Sequence, residues 1–185
     1  MSVAVEMNNK STKSTSKFLS LVLRHQPTLI GIELDESGWI EVSVLLEAIA
    51  RHGKTLTLEQ LEFVVADNDK QRFAFSEDRQ RIRANQGHSV EVTLGYEPAV
   101  PPEILYHGAP EKFVSSIRKD GLKKMKRHDV HLHEDSEVAE QVGRRRGSPV
   151  ILTIRSGDMH RDGYEFTVSP NHVWLTDHVP SDYLS

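Results

Sequence analysis

Apolar positions recur at helical spacing through the first half of this 185-residue chain and gather into short strand-like runs through the second. After Ser16, a good N-cap, the residues Phe18, Leu19, Leu21, Val22 and Leu23 predict a short helix over Lys17 to His25. Pro27 disfavours helix at Gln26, so Arg24 and His25 fall at the helix's C-terminal end. Glu36-Ser37-Gly38 reads as a turn and Trp39 to Val42 as a short strand, and Val44, Leu45, Leu46, Ala48 and Ile49 mark a helix stopped near Gly53. Thr57 and Gln60 have capping-box spacing ahead of a third helix bearing Leu58, Leu61, Phe63, Val64 and Val65. Two strands follow, Phe73 to Ser76 and Arg81 to Ala84, joined by the polar turn 77–80. Three short helices and a hairpin form a winged-helix pattern, whose order puts Arg83 on the last strand.

Residues 95–103 hold three of the eight prolines and resist both helix and sheet, so a linker is expected there. Beyond it the pattern predicts a strand Ile104 to His107, a helix Pro110 to Lys119 closed by Gly121, and a strand Val130 to His133. A second helix is expected over about Ser136 to Arg145, then strands Pro149 to Arg155, Tyr164 to Val168 and His172 to Thr176, the first as a buried central strand. The expected organisation is α+β: a tail over 1–16, a winged-helix lobe over 17–94, the linker, and a second lobe over 104–185.

Composition narrows the chemistry. With no cysteine the chain has no disulfide, thiolate zinc site or cysteine nucleophile, a usage that fits a cytoplasmic location. No apolar run approaches the roughly 20 residues of a membrane span, so a soluble protein with no membrane partner is expected. Residues 1–16 are polar and rich in Ser, Thr, Asn and Lys, lack an apolar signal-like stretch, and read as a flexible tail. A formal charge of −4 would repel a polyanion, so any nucleic-acid contact has to come from a local basic patch.

Such local clusters exist, each with a plainer explanation beside it. Arg24 and His25 at a helix C-terminus complement the macrodipole, as cations there commonly do. Arg83 could be a solvated edge residue, but Asn85, Gln86, Gly87, His88 and Ser89 follow it with a composition suited to surrounding a polar ligand. His107 precedes Gly108 at a strand end, where glycine permits close backbone approach; a ligand-facing histidine and an ordinary surface histidine are both open. His131 and His133 share one face of a strand, a spacing also found in zinc sites, although no carboxylate-bearing metal motif accompanies them. Of Arg144, Arg145 and Arg146 two are expected to be simply solvated, and Trp174 is expected in the core. Arginine grips phosphate oxygens with a planar, permanently charged fork, and histidine moves a proton near neutral pH, so the set suits phosphate chemistry.

Taken in order, Ser16 to Pro27, Ile82 to Ser89, Leu105 to Gly108, His128 to Leu132, Val142 to Val150 and Asn171 to Thr176 resemble the RNA (tRNA) 2′-phosphotransferase family over nearly everything from residue 16 onward. The block Ile82-Arg-Ala-Asn-Gln-Gly-His-Ser89 is the most specific. Ala109, His133, Arg146 and His172 depart from the family pattern, and Gly143 and Gly147 keep Arg145 in register.

The resemblance implies an N-terminal winged-helix RNA lobe and a C-terminal ADP-ribosyltransferase-like lobe that binds NAD⁺ as co-substrate, without a metal. It further implies that an internal RNA 2′-phosphate, such as one left by tRNA splicing, attacks the anomeric carbon of the nicotinamide ribose, expelling nicotinamide and giving an ADP-ribosylated RNA. The ribose 2″-hydroxyl then attacks phosphorus, releasing 2′-OH RNA and ADP-ribose 1″,2″-cyclic phosphate. The family's catalytic positions fall on Arg24, His25, Arg83 and Arg145, which are expected to face one anion pocket. NAD⁺ contacts fall on Asn85, Gln86, His88, Ser89, His107, Gly108, His131 and Leu132. A monomer is expected, because both lobes would supply one site in cis. Two other readings stand beside this one: a transferase acting on terminal phosphates of nucleic acid, and a non-catalytic winged-helix nucleic-acid-binding protein. The net charge and the acids Glu47, Glu59, Glu62 and Asp67 on the second and third helices argue against the latter.

Overall fold

A Ser/Thr-rich segment of low helix propensity nevertheless forms helix here, because one of its residues has a place in the core. In the computed structural model, which describes Met7, residues 9–67 and residues 70–185, α1 spans Asn9–Arg24. The expected start was Lys17. Thr12 is buried and Met7 packs on the same cluster as Leu19, Val22 and Leu23, so tertiary contact extends the helix by two turns beyond its apolar stripe. The expected tail is therefore helical from Asn9, while residues 1–6 and 8 lie outside the described residues.

The chain divides into two compact units, Met1–Gly95 and Tyr96–Ser185. In the first, α1 leads through a 3-10 turn at Pro27–Ile30 to β1 (Ile40–Glu41), α2 (Val42–Arg51), α3 (Leu58–Ala66), β2 (Phe73–Phe75) and β3 (Arg81–Ala84). Val42, expected to end a strand, begins α2, with Glu41 in extended conformation as its N-cap. The three strands form an antiparallel sheet in the order β1-β3-β2. Ile82 pairs opposite Ile40 and Phe75, and alternation turns Ile82 and Ala84 into a core shared with Leu19, Leu23, Leu45, Ile49 and Leu61.

The second unit contains β4 (Leu105–Pro110), α4 (Glu111–Asp120), β5 (Leu122–Lys123), β6 (Val130–Leu132), α5 (Ser136–Gly143), a 3-10 turn Arg144–Arg146, β7 (Pro149–Ile154), α6 (Ser156–Arg161), β8 (Thr167–Val168), β9 (Trp174–Thr176) and β10 (His178–Val179). All strand pairings are antiparallel: β4 with β7, β6 and β8 on either side of β9, and β5 with β10. An isolated bridge between Tyr106 and His133 joins β4 to the end of β6. β7 is flanked on both sides, by β4 and by the C-terminal residues, since Thr153 and Ser185 exchange backbone hydrogen bonds. Residues of the expected linker belong to this unit: Ala99 N–H donates to Phe166 O, and Pro98 bridges Thr167. Trp174 is buried, as expected, with its indole N–H donating to Glu134 Oε1 at 2.7 Å.

The chain is thus mixed helix and sheet, α+β. Among the described residues no helix is long and apolar enough to cross a membrane. The capping box read from the sequence is formed in full: Thr57 Oγ1 accepts from Gln60 N–H at 3.2 Å and Gln60 Oε1 accepts from Thr57 N–H at 3.0 Å. Thr57→Ala removes one of these bonds and unseats the other, and urea unfolding should show about 1 kcal/mol lost; an unchanged midpoint would show that the cap contributes nothing.

Candidate active site

In the first unit, the end of α1 and the segment after β3 are tied together across 64 residues of sequence. The carbonyl of Arg24, left unpaired within the helix by its terminal position, accepts from Ser89 N–H at 2.8 Å and Val90 N–H at 3.3 Å. His25 Nδ1 lies 2.9 Å from Ser89 Oγ. On the other side, the carbonyl of Arg72 accepts from both the Arg24 guanidinium (Nη2, 3.3 Å) and Asn85 N–H (2.9 Å), and the Arg24 guanidinium stacks 5.9 Å from the Phe73 ring centroid. Arg24, His25, Asn85 and Ser89 therefore sit in one neighbourhood, framed by backbone. Asn85 is buried, its amide donating to Gln71 O; Gln86 Oε1 is buried with no hydrogen-bond partner, and His88 is buried beside the Gly38 turn.

Arg83 lies on the central strand, so the reading of it as a solvated edge residue is removed. Alternation places it on the sheet face opposite Ile82 and Ala84, where its guanidinium packs 4.5 Å from the Trp39 ring centroid. Its Nη1 donates to Leu94 O at 3.1 Å and Ser37 O at 3.3 Å, and Thr93 N–H donates to Glu36 O. The segment 85–94 is thus anchored at its start to Arg72, in its middle to Arg24 and at its end to the turn 36–38. Cation–π packing against Trp39 orients the Arg83 fork and limits its rotamers. Trp39 was read only as a strand residue. Two arginines flanking it on the same strand face (Arg81 is 5.6 Å away) were the signal for its packing role, an alternation visible in the sequence as Arg81-Ile82-Arg83.

In the second unit, His107 on β4 and His131 on β6 are joined by a hydrogen bond. The acceptor is the carbonyl of His131, so His107 Nδ1 carries the proton and donates at 2.9 Å. Burial is the main cause that depresses the His107 pKa below the ordinary 6.5; the bond to His131 O opposes it and Arg127 adds to it. His107 is consequently neutral at pH 7, and its Nε2 is a lone-pair acceptor suited to a hydroxyl such as a ribose 2′- or 3′-OH. Arg127 Nη1 donates to His131 Nδ1 at 3.4 Å. The side chain of Leu132 is in the core. Among the described residues no group of three or more His, Asp or Glu side chains is placed to hold a metal ion.

Gly108 does allow a close backbone approach, but the partner is α5: a Cβ on Gly108 would lie 2.1 Å from Ala139 O. A Cβ on Gly143 would in turn lie 3.1 Å from the Gly108 backbone and 2.8 Å from Pro149 Cβ. These two glycines seat α5 on β4, and the helix delivers Arg145 on the 3-10 turn that follows, packed against β4. The helix stops at Gly143, two residues short of the expected end. Arg144 pairs with Glu140 at 2.5 Å and so is accounted for structurally, whereas Arg145 is exposed.

The chain matches the RNA 2′-phosphotransferase, Tpt1/KptA family over residues 10–178. It is 55% identical over 178 residues to a probable RNA 2′-phosphotransferase of Flavobacterium johnsoniae, covering 96% of this chain and 98% of that protein. Proteins of the same description from Streptomyces coelicolor (52% over 178 residues, 96% and 97% covered) and Burkholderia pseudomallei (54% over 169 residues, 91% and 92% covered) are similar throughout. The chain belongs to the RNA 2′-phosphotransferase family, and it is a transferase.

Two outcomes follow from this geometry. Gly108→Ala should push α5 off β4 and lower stability by about 1–3 kcal/mol, read by thermal unfolding; a melting temperature equal to wild type would remove the seating role. A neutral buried imidazole with a depressed pKa contributes stability that is complete above about 6.5, the unfolded value, and declines as pH falls below it. His107 should titrate below 6.5 by NMR, and titration above that value contradicts the burial argument.

Proposed function

We propose that this enzyme transfers an internal RNA 2′-phosphate to NAD⁺, giving 2′-OH RNA, nicotinamide and ADP-ribose 1″,2″-cyclic phosphate. In this reading the first unit is a winged-helix RNA lobe and the second an ADP-ribosyltransferase-like lobe, with Arg24, His25, Arg83 and Arg145 engaging the phosphate. NAD⁺ is the co-substrate, taken by the Asn85 to Ser89 loop and by His107, Gly108, His131 and Leu132, and no metal takes part. The observation that carries the reading is the junction at Arg24, where an arginine, a histidine and a serine from a distant segment are held together by backbone and side-chain hydrogen bonds. Family membership and similarity along nearly the whole chain support the same activity.

Two steps make different demands. In the first, a 2′-phosphate oxygen bonds to the anomeric carbon of the nicotinamide ribose while the C–N bond breaks with its electron pair going to nicotinamide. No protein nucleophile is needed, so the chain's task is to hold the phosphate in line with the developing oxocarbenium ion. The neutral acceptor at His107 Nε2 and the buried, unpartnered Oε1 of Gln86 suit hydroxyl or amide donors of a nucleotide. In the second step the ribose 2″-oxygen bonds to phosphorus and the bond from phosphorus to the RNA 2′-oxygen breaks. Charge builds on the phosphoryl oxygens, which arginine forks stabilise.

A proton must pass from the 2″-hydroxyl to the departing 2′-oxygen, and in this reading His25 carries it. The Ser89 hydroxyl both donates and accepts, so it can satisfy Nδ1 in either tautomer and let Nε2 act as base or as acid. His25→Ala should slow the second step by about 10²-fold or more, so that ADP-ribosylated RNA accumulates; a second step at wild-type rate refutes the proton role. Arg24→Ala or Arg83→Ala should reduce turnover by about 10³-fold or more, with Lys a poor substitute for the planar fork.

The deciding experiment incubates an oligonucleotide bearing an internal 2′-phosphate with and without NAD⁺, following phosphate loss and nicotinamide release. Loss of phosphate only with NAD⁺, matched by nicotinamide, is expected. Phosphate loss without NAD⁺, or none at all, would falsify the assignment, and nicotinamide release only with phosphorylated ends would redirect it to terminal acceptors.

A further inference from the structure

The solvent face of α1 has a charge pattern that the reaction at its C-terminus does not explain. Over Asn9–Arg24 the helix carries Lys10, Lys13, Lys17 and Arg24 and no acid, in a chain whose Asp and Glu outnumber Lys and Arg 27 to 23. Other helices are mixed or acidic: Glu47 with Arg51 on α2, Glu59 with Glu62 on α3, Glu137 with Glu140 on α5. Lys10, Lys13, Lys17 and Arg24 stand at i, i+3, i+7 and i+14, which keeps them within about 60° of arc on an α-helix. Thr12, Leu19, Val22 and Leu23 occupy the opposite, buried side. All three lysines are exposed, and none joins a salt bridge among the described residues.

Helix stability does not account for this row. Lys10 and Lys13 lie in the first turns, where the macrodipole disfavours cations, and the helix has no acid to pair with them at i±4. The row runs about 21 Å along the helix and ends at Arg24, the residue read above as gripping the 2′-phosphate. We infer that this face is a docking track for the RNA strand flanking the phosphate to be removed, its lysines engaging successive backbone phosphates. The inference rests on the proposed RNA substrate. The division of labour follows the chemistry of the side chains: lysine ammonium groups are point charges suited to sequence-independent backbone contact, and the arginine fork suits the one phosphate that reacts. It also offers a chain of net charge −4 a way to bind a polyanion, through a local acid-free basic row that leads to the site.

The test compares the full chain with its Lys10→Gln/Lys13→Gln/Lys17→Gln variant, by fluorescence anisotropy, on a single strand of about ten nucleotides with one internal 2′-phosphate and on a 2′-phosphorylated dinucleotide. Three contacts at roughly 0.7 per single-strand phosphate should make the variant's plot of log K against log salt shallower by about two units on the longer RNA. Between 50 and 200 mM salt, wild type should therefore lose about 16-fold more affinity than the variant. Dinucleotide affinity should be unchanged, and the triple Lys→Arg variant should keep the wild-type slope. Equal slopes on the longer RNA overturn the track. So does an equal loss on the dinucleotide, which would place the lysines' effect at the clamp or in folding, or wild-type binding of the longer RNA no tighter than of the dinucleotide. Failure of the proposed reaction is distinguishable: a slope change without NAD⁺-dependent phosphate loss keeps the track and sinks the chemistry.

Discussion

The carbonyl of Arg24 is the point on which the organisation of the first unit depends. A helix C-terminus leaves carbonyls that need donors, and here the donors are Ser89 and Val90, so closing the helix and positioning the loop after β3 are one event. The same bonds set Ser89 Oγ beside His25 and carry the chain on to Thr93 and Leu94, which meet the turn before β1. Positions that are distant in sequence become neighbours because the Arg24 carbonyl is satisfied by their backbone, with the His25–Ser89 side-chain contact beside it. An arginine and an imidazole are thereby tied to fixed partners, Arg24 to the Arg72 carbonyl and His25 to Ser89 Oγ.

In the second unit the corresponding constraint is steric. Gly108 and Gly143 pack α5 onto β4 at a distance that forbids a Cβ on either, and the helix ends where Gly143 and Gly147 bracket the three arginines. Arg145 is thereby placed by glycines and Arg144 is spent on Glu140. His107, on the same strand as Gly108, is fixed in one tautomer by the carbonyl of His131, while His133, which shares the spacing of a zinc ligand with His131, exchanges backbone hydrogen bonds with Tyr106. The His107 Nε2 is thereby left as an uncharged hydrogen-bond acceptor.

Much of this was legible in the chain. The apolar spacing of α2 and α3, the Thr57 and Gln60 cap, the pairing of β2 with β3, and the strands at β4 and β7 all appeared where periodicity put them, because each carries its signal within a few residues. The neighbourhood that joins Arg24 and His25 to Asn85 and Ser89 was suggested by the sequence clusters, and the fold brings those residues together. What was not legible depended on partners elsewhere: the first two turns of α1, which need Thr12 in the core; the short β5 and β10, which exist only as a pair; α6, six residues long; and the place of residues 96–103 against Phe166 and Thr167.

By itself the sequence determined the α+β class and the order of its longer elements, and it singled out the arginine, histidine and glycine clusters as candidates, since local propensity, capping and motif spacing are properties of neighbouring residues. Only the tertiary structure decided that Arg83 lies on a central strand against Trp39, that His107 is a neutral donor to His131, and that Gly108 makes room for a helix, because a hydrogen bond or a steric contact across many residues is set by the fold that brings its two ends together.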